Sequence, residues 1–330
     1  MNKKTIDEAL KLIKKHGPIG PTKLAEKLQI STQMAHRHIK SLLKDKKIKK
    51  IGSPPKVFYV TTKEKGLFEF PKLKPEQEAY INEHYLAVKP DGEVLEGLRG
   101  FQWWAEKTKQ HKNFTALANE YVSNHSQCTK EYKNKLGIID ATRKLKDTFE
   151  NCYLDYIFYQ SFYSIPKFGK TKTGQMVTLG KSGQDIENIK LLAQMCRQSI
   201  IDIVEYYKID GLIFTPHSIP RKISFLKEFK RFLSLPYPTT GLNKVFAGKA
   251  PVAQKSLSKL ADRIENANNT IFLREENYHF KRILVIDDAV GSGATLNAIA
   301  HKLKTQANAE FVCGFAVTGS LKGFDVISEI

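Results

Sequence analysis

Residues 283–296, Ile-Leu-Val-Ile-Asp-Asp-Ala-Val-Gly-Ser-Gly-Ala-Thr-Leu, constrain the fold more than any other stretch of this 330-residue chain. The apolar run 283–286 predicts a buried strand. Asp287 and Asp288 stand at its C-terminal end, a Gly/Ser/Thr loop follows, and a helix begins with Leu296, Ile299 and Leu303 on one face. That order predicts an α/β fold in which acids and loop amides share the carboxyl edge of a parallel sheet, the edge where such folds bind ligands. Gly291 and Gly293 let the backbone turn tightly and approach a ligand. The amides of residues 291–295 can then point inward as a nest at the positive end of the next helix, with the Ser292 and Thr295 hydroxyls beside them. An anion such as a 5′-phosphate suits this cradle. Two carboxylates repel a phosphate and suit hydroxyl donors or a metal-bound hydroxyl. A sugar phosphate presents both needs a few ångströms apart.

The run resembles the phosphoribosyltransferase signature: an apolar strand, an acidic pair, and a small-residue loop ending Gly-x-Thr. The resemblance implies a type I phosphoribosyltransferase fold, a parallel sheet flanked by helices. It also implies that Asp287 and Asp288 hold the ribose 2′- and 3′-hydroxyls of phosphoribosyl pyrophosphate (PRPP). The segment Ala289, Val290, Gly291, Ser292, Gly293, Ala294 and Thr295 would hold its 5′-phosphate. Family members often carry Val and Thr where this chain has Ala289 and Gly291. Both changes shrink side chains, which weakens hydroxyl contacts and keeps the amide cradle. The bland alternative is a buried strand capped by acids and a turn.

Two other phosphate motifs fail on spacing. Gly174-Gln-Met-Val-Thr-Leu-Gly180-Lys181-Ser182 has five residues between its glycines where a P-loop has four, and reads instead as a basic hairpin turn. No Gly-x-Gly-x-x-Gly loop of the dinucleotide type is present. Upstream of the acidic pair, residues 210–214 predict a second buried strand. Thr215, Pro216 and His217 follow it, and the loop continues through Arg221 and Lys222. A basic loop at a strand's C-terminal end is either a pyrophosphate clamp or a solvated turn. For a clamp, Arg221 is the best catalytic candidate because its fork binds two oxygens.

Residues 250–272 resemble the segment that precedes the acidic strand in ComF-type phosphoribosyltransferases, with Gln254, Leu257, Arg263, Asn266 and Phe272 carrying the likeness. In that family the region is a mobile hood over the active site, so Lys244, Lys249 and Arg263 would meet pyrophosphate or substrate. Alternatively Leu257, Leu260 and Ile264 form an amphipathic helix whose charged residues face water. ComF-type chains have a Lys-x-Gly turn before a helix, as here at Lys181 and Gly183. They also carry an Arg-Gly-Phe-Asn-Gln run and often an N-terminal zinc finger, both missing here, so the resemblance spans residues 151–330 and transfers no acceptor substrate. The implied chemistry needs Mg²⁺ and basic side chains on the leaving pyrophosphate. Mg²⁺ favours substrate phosphates and water plus one or two carboxylates, so Asp287 and Asp288 would serve it indirectly, through the substrate.

Residues 1–66 differ in kind: 16 Lys and 1 Arg stand against 5 Asp plus Glu, a net of +12 out of +19 for the chain. Ile6, Ala9, Leu10 and Ile13 mark a first helix, ended by Gly17 and Pro18. A short helix over 21–28 follows, then a third over 32–44 with Ser31 as N-cap. Ala35, Ile39 and Leu42 mark its buried side, His38 packs between helices, and a β-hairpin over 47–60 turns at Gly52. Three helices and a basic hairpin resemble the winged helix-turn-helix, whose third helix enters the major groove. The resemblance implies that Gln33, Arg37 and His36 touch bases and that Thr32, Lys40, Lys49, Lys50 and Lys56 meet phosphates. The alternative is a protein-contact module with solvated lysines.

The chain has room for two or three domains. Residues 67–150 read as a helical spacer or dimerisation module after the Pro71–Pro75 hinge, with helices around 76–86, 101–109, 114–123 and 138–148. Trp103 and Trp104 either pack one ring inward or stack on a base. Residues 153–163 are rich in aromatics and predict a strand entering the 151–330 domain. Four dispersed cysteines suggest a reducing, cytoplasmic setting and argue against structural zinc. No signal peptide or long apolar run points to secretion or a membrane. The expected partners are DNA, PRPP or a nucleotide, and a second copy of the chain. Three functions fit: a DNA-tethered, Mg²⁺-dependent phosphoribosyltransferase; a transcription regulator that senses PRPP without turnover, as the same domain pairing in purine-type repressors implies; or, from that pairing alone, a retron-type anti-phage effector that partners a reverse transcriptase and its DNA–RNA product.

Overall fold

The computed structural model describes residues 3–52, 54–62, 69–217, 221–246, 248, 257–274 and 279–320. The chain is mixed α/β and divides into two compact units, residues 1–69 and 70–330. No described helix is long and apolar enough to cross a membrane.

The first unit holds helices α1 (Lys3–His16), α2 (Pro21–Leu28) and α3 (Thr32–Lys44), then strands β1 (Ile48–Ile51) and β2 (Phe58–Thr61). The predicted caps set the boundaries. Pro21 opens α2, where a missing N–H costs nothing, and Ser31 Oγ accepts from the Met34 amide at 3.2 Å to start α3. Ala9, Ile13, Leu24, Ile39 and Leu42 form the core with Ile48 and Tyr59 of the antiparallel hairpin.

The second unit begins with α4 (Pro75–His84), a hairpin of β3 (Leu86–Val88) and β4 (Val94–Glu96), α5 (Gly97–Lys107) and α6 (Phe114–Tyr132). These close over an aromatic cluster of Tyr85, Phe101, Phe114, Tyr121 and Phe168. Trp104 packs inward there, stacked on Phe101 at 5.7 Å, and Trp103 lies partly buried under Lys107.

The spacer expected over 67–150 continues straight into the sheet. In place of a helix from 138, β5 (Ile139–Asp140) pairs antiparallel with β6 (Tyr156–Phe162), and α7 (Thr142–Thr148) sends Leu145 into the main core. A two-residue strand carries no periodicity of its own, and only its partner reveals it. Then come a small hairpin of β7 (Ser164–Ile165) and β8 (Gly169–Lys170), the helices α8 (Lys172–Lys181) and α9 (Ile186–Tyr207), and β9 (Gly211–Phe214). They are followed by α10 (Phe225–Leu233), β10 (Thr239–Thr240), β11 (Leu242–Lys244), α11 (Leu260–Thr270), β12 (Ile271–Leu273), β13 (Arg282–Val290), α12 (Ala294–Gln306) and β14 (Phe311–Gly319).

The basic hairpin turn expected at residues 174–182 is instead helix α8. Thr171 caps it by accepting from the Gly174 amide at 3.0 Å while its hydroxyl donates to the Phe162 carbonyl at 2.6 Å. Its glycines are contact points. A Cβ on Gly174 would meet the Tyr163 carbonyl, and one on Gly180 would meet Ile189 and Phe225 at 2.9 Å.

The main sheet runs β10-β9-β13-β14-β6-β5, parallel except for the β5 edge. Its central strands are apolar on both faces, as a strand covered from both sides must be. Ile283, Val285 and Val312 pack toward α12, while Leu284, Ile286 and Phe315 pack toward α9 and α10.

Candidate functional site

Helix α10 carries the chain from β9 to β10 across one face of the sheet, and α12 carries it from β13 to β14 across the other. The winding direction therefore reverses between β9 and β13. At that switch point connections diverge and leave a crevice beyond the strands' carboxyl ends. Both aspartates lie there.

Thr215 directly follows β9. Its hydroxyl donates to Asp287 Oδ1 at 2.7 Å, and the Asp288 amide donates to the same oxygen at 2.8 Å. Asp287 Oδ2 has no hydrogen-bond partner among the described residues. Burial, with the neighbouring Asp288 charge second, pushes the Asp287 carboxyl up to about 6. Asp288 is 5% exposed and accepts from Lys181 Nζ at 2.6 Å. Burial opposes the charge on Lys181, but the two carboxylates outweigh it and hold its ammonium above the usual range.

Arg221 is brought to the same corner by donating to the Lys181 carbonyl at the end of α8. Lys244, at the end of β11, lies within electrostatic reach of Asp287; burial lowers its pKa and Asp287 offsets part of that. Lys181 thus pairs with Asp288, Arg221 holds the Lys181 carbonyl, and Lys244 lies within electrostatic reach of Asp287. Lys181 is the member that sequence reasoning left out of the site. Its signal was the end of a helix, hidden by glycines that read as turn formers.

The loop after β13 is held firmly. Ser320 donates its amide to the Val290 carbonyl at 2.9 Å. Gly293 takes φ +86° as the N-cap of α12, a left-handed conformation that favours glycine, and it brings no capping side chain of its own. Asn297 donates to the Asn151 carbonyl at 3.0 Å and accepts from the Tyr153 amide at 2.7 Å, locking the first turn of α12. Val290, Ser292, Gly293 and Ala294 are buried, while Ala289, Gly291 and Thr295 are partly exposed. A Cβ on Gly293 would meet Leu145 of α7, so the middle of the chain packs directly on this loop.

The remaining sequence-derived candidates fall as follows. Pro216 is partly buried and His217 exposed, just past Thr215. Arg263 is 4% exposed in α11 and donates to the Leu257 carbonyl at 2.7 Å. Lys249 lies outside the described residues. No group of three or more His, Cys, Asp or Glu side chains converges among the described residues. Two adjacent carboxylates still match the donor set that Mg²⁺ uses when substrate and water supply most of its shell.

On the first unit, Thr32, Gln33, His36, Arg37 and Lys40 are all exposed along α3, opposite buried Ala35, His38, Ile39 and Leu42. Lys50 and Lys56 are exposed on the hairpin, and Lys49 is half-buried. The four cysteines are free thiols. No protein-family model matches the chain, and a comparison with curated proteins finds no significant relative.

Proposed function

We propose that this chain is a DNA-binding protein of the type I phosphoribosyltransferase family, with a winged helix-turn-helix head, that uses PRPP and Mg²⁺ for phosphoribosyl transfer. One observation supports the reading most: Asp287 and Asp288 lie in β13 just past the end of its pairing with β9, at the sheet's switch point, and after Val290 the left-handed Gly293 turn launches α12.

In this reading Thr215 orients Asp287 so that its free oxygen accepts a ribose hydroxyl, and Asp288 takes the second hydroxyl as Lys181 yields. Amides of residues 291–295, at the positive end of α12, receive the 5′-phosphate. Mg²⁺ would supply charge neutralisation on the pyrophosphate when bound, and Asp287 and Asp288 would hold it indirectly, through the substrate. The bond from C1′ to pyrophosphate breaks as the acceptor bonds C1′. Lys181, Arg221 and Lys244 then face the negative charge that develops on the leaving group, and preorganised cations in a water-poor site stabilise it without reorganising.

The discriminating experiment is pyrophosphate release from PRPP with Mg²⁺, using Asp287→Asn and Asp288→Asn as controls. Release that both changes abolish is the expected result; release that survives both would sink the enzyme. A second reading, a regulator that senses PRPP without turnover, is favoured by the closed Lys181–Asp288 pair, which only a ligand need open. It predicts PRPP binding by calorimetry without release and a PRPP-dependent change in DNA affinity at fixed salt.

A further inference from the structure

Lys181 is a half-exposed cation set on a buried acid. Its side chain is 41% exposed and that of Asp288 8%, and the two meet at 2.6 Å. The ammonium is therefore the outer member of the pair, between Asp288 and solvent. Among the described residues it is also the only cation paired with either acid. A buried carboxylate left without a partner is strongly destabilising, so the free protein gains by keeping this pair closed.

The lysine is braced from behind. It is the last residue of α8, and the C-terminal end of a helix favours a cation. Its carbonyl accepts from the Arg221 guanidinium, and the Ile223 amide donates to Gln184 Oε1 at 3.1 Å. These two bonds tie the turn after α8 to the segment before α10. A lysine head rides on a flexible four-carbon stem, so the ammonium can leave Asp288 while the braced backbone stays.

An ammonium and a divalent ion compete for the same oxygens. Mg²⁺ binds through one or two carboxylates and keeps several waters. With Lys181 in place, Asp288 Oδ1 accepts from the ammonium, and Asp287 Oδ1 accepts from Thr215 and from the Asp288 amide. The other two carboxylate oxygens lie beside a positive charge that repels a second one. Lys181 also cancels one of the two negative charges. A polyanionic ligand alters this balance, because it offers Lys181 another anion and carries its own ion.

We propose that Lys181 is the resident counter-cation of the acidic pair: it keeps free divalent ions off Asp287 and Asp288, and a divalent ion enters only with an anionic ligand that draws the lysine away. The proposal rests on the reading of this corner as a PRPP site only for the identity of that ligand. The exclusion of free ions is testable without it.

The test uses the full chain at pH 7.5 with Mn²⁺ alone as the probe, free Mn²⁺ being read from its electron paramagnetic resonance signal. The unaltered protein should bind Mn²⁺ weakly, and Asp288→Asn should leave that residual binding as it is. Lys181→Met should gain one site, at least about tenfold tighter, because the repelling charge is gone. Adding Asp288→Asn to Lys181→Met should abolish the gained site and so assign it to the pair. Lys181→Arg restores a cation and should exclude the ion again. Should Lys181→Met fail to fold, Lys181→Gln serves, since it removes the charge and keeps a donor for Asp288. Tight, Asp288-dependent binding of Mn²⁺ by the unaltered protein would overturn the proposal. So would folded charge-free variants that gain no site, whose lower melting temperature alone would show a merely structural lysine.

Equilibrium dialysis supplies the second arm. PRPP should retain Mn²⁺ on the unaltered protein, with inorganic pyrophosphate run in parallel. Retention with pyrophosphate alone would keep the proposal and remove PRPP as the ligand. Retention with neither would overturn entry with an anionic ligand, while the free-ion measurements still decide what Lys181 excludes.

Discussion

Desolvation, with the Asp288 charge second, pushes the Asp287 carboxyl up to about 6, and stability depends on its proton. In the unfolded chain the same group titrates near 4. The folded state therefore binds more protons than the unfolded state between those values, and stability falls as pH rises from about 4 to about 6. Asp287→Asn keeps an acceptor for Thr215 and removes the charge. It should raise stability at pH 7.5 by about 1–3 kcal/mol in urea unfolding, with the gain fading toward pH 4. A gain that is constant with pH would mean that the charge is not the cause. On the proposed reading PRPP affinity moves the opposite way, dropping below pH 6 as the carboxylate that accepts the ribose hydroxyl is lost. On that reading stability and function pull against each other at this residue, which is common where acids are desolvated for use.

Helix α8 decides whether Lys181 reaches Asp288, and its start depends on one side chain. Thr171 is 4% exposed and both accepts from Gly174 and donates to Phe162. Thr171→Ala removes the cap and leaves the Phe162 carbonyl short of a donor, at a cost of about 1–2 kcal/mol. The expected signature is local as well as global: hydrogen exchange should speed along residues 172–181. Uniform acceleration throughout the second unit would argue that Thr171 only contributes general packing. Glycine has a different meaning in this helix from the one it has in a loop. Gly174 and Gly180 let α8 lie against Tyr163, Ile189 and Phe225, and that close approach sets the height at which Lys181 emerges.

At the scale of the whole molecule, charge and chemistry are kept in different units. Residues 1–66 carry +12 of the chain's +19, while the acidic pair and its cations belong to the second unit. If the first unit binds a duplex, affinity must fall steeply with salt as counterions are released. Lys50→Ala and Lys56→Ala should each reduce the log–log salt slope by about 1, and Arg37→Ala should narrow the preference between sequences more than it changes the slope. Fluorescence anisotropy on several duplexes at graded salt checks all three. Affinity indifferent to salt would remove DNA as the partner. The second unit is equally integrated: β5 and α7, which sequence reading assigned to a spacer, supply an edge strand and the Leu145 contact to the Gly293 loop.

What the amino-acid order determined by itself is local. An apolar run at 283–286, capped by two acids and two glycines, has few conformations that bury the one and solvate the other, so strand, loop and helix were legible. So were the Ser31 cap, the faces of α3 and the β1–β2 hairpin, since each depends on neighbours within a turn or two. The tertiary structure alone decided everything that needs a distant partner. Lys181 sits 107 residues from Asp288. A two-residue strand at 139–140 exists only because β6 accepts it, and the glycines at 174 and 180 belong to a helix that lies close against the Tyr163 backbone, Ile189 and Phe225. Periodicity and caps act over a few residues, whereas ion pairs, close backbone approach and sheet edges act through space, and a single sequence records only the first kind.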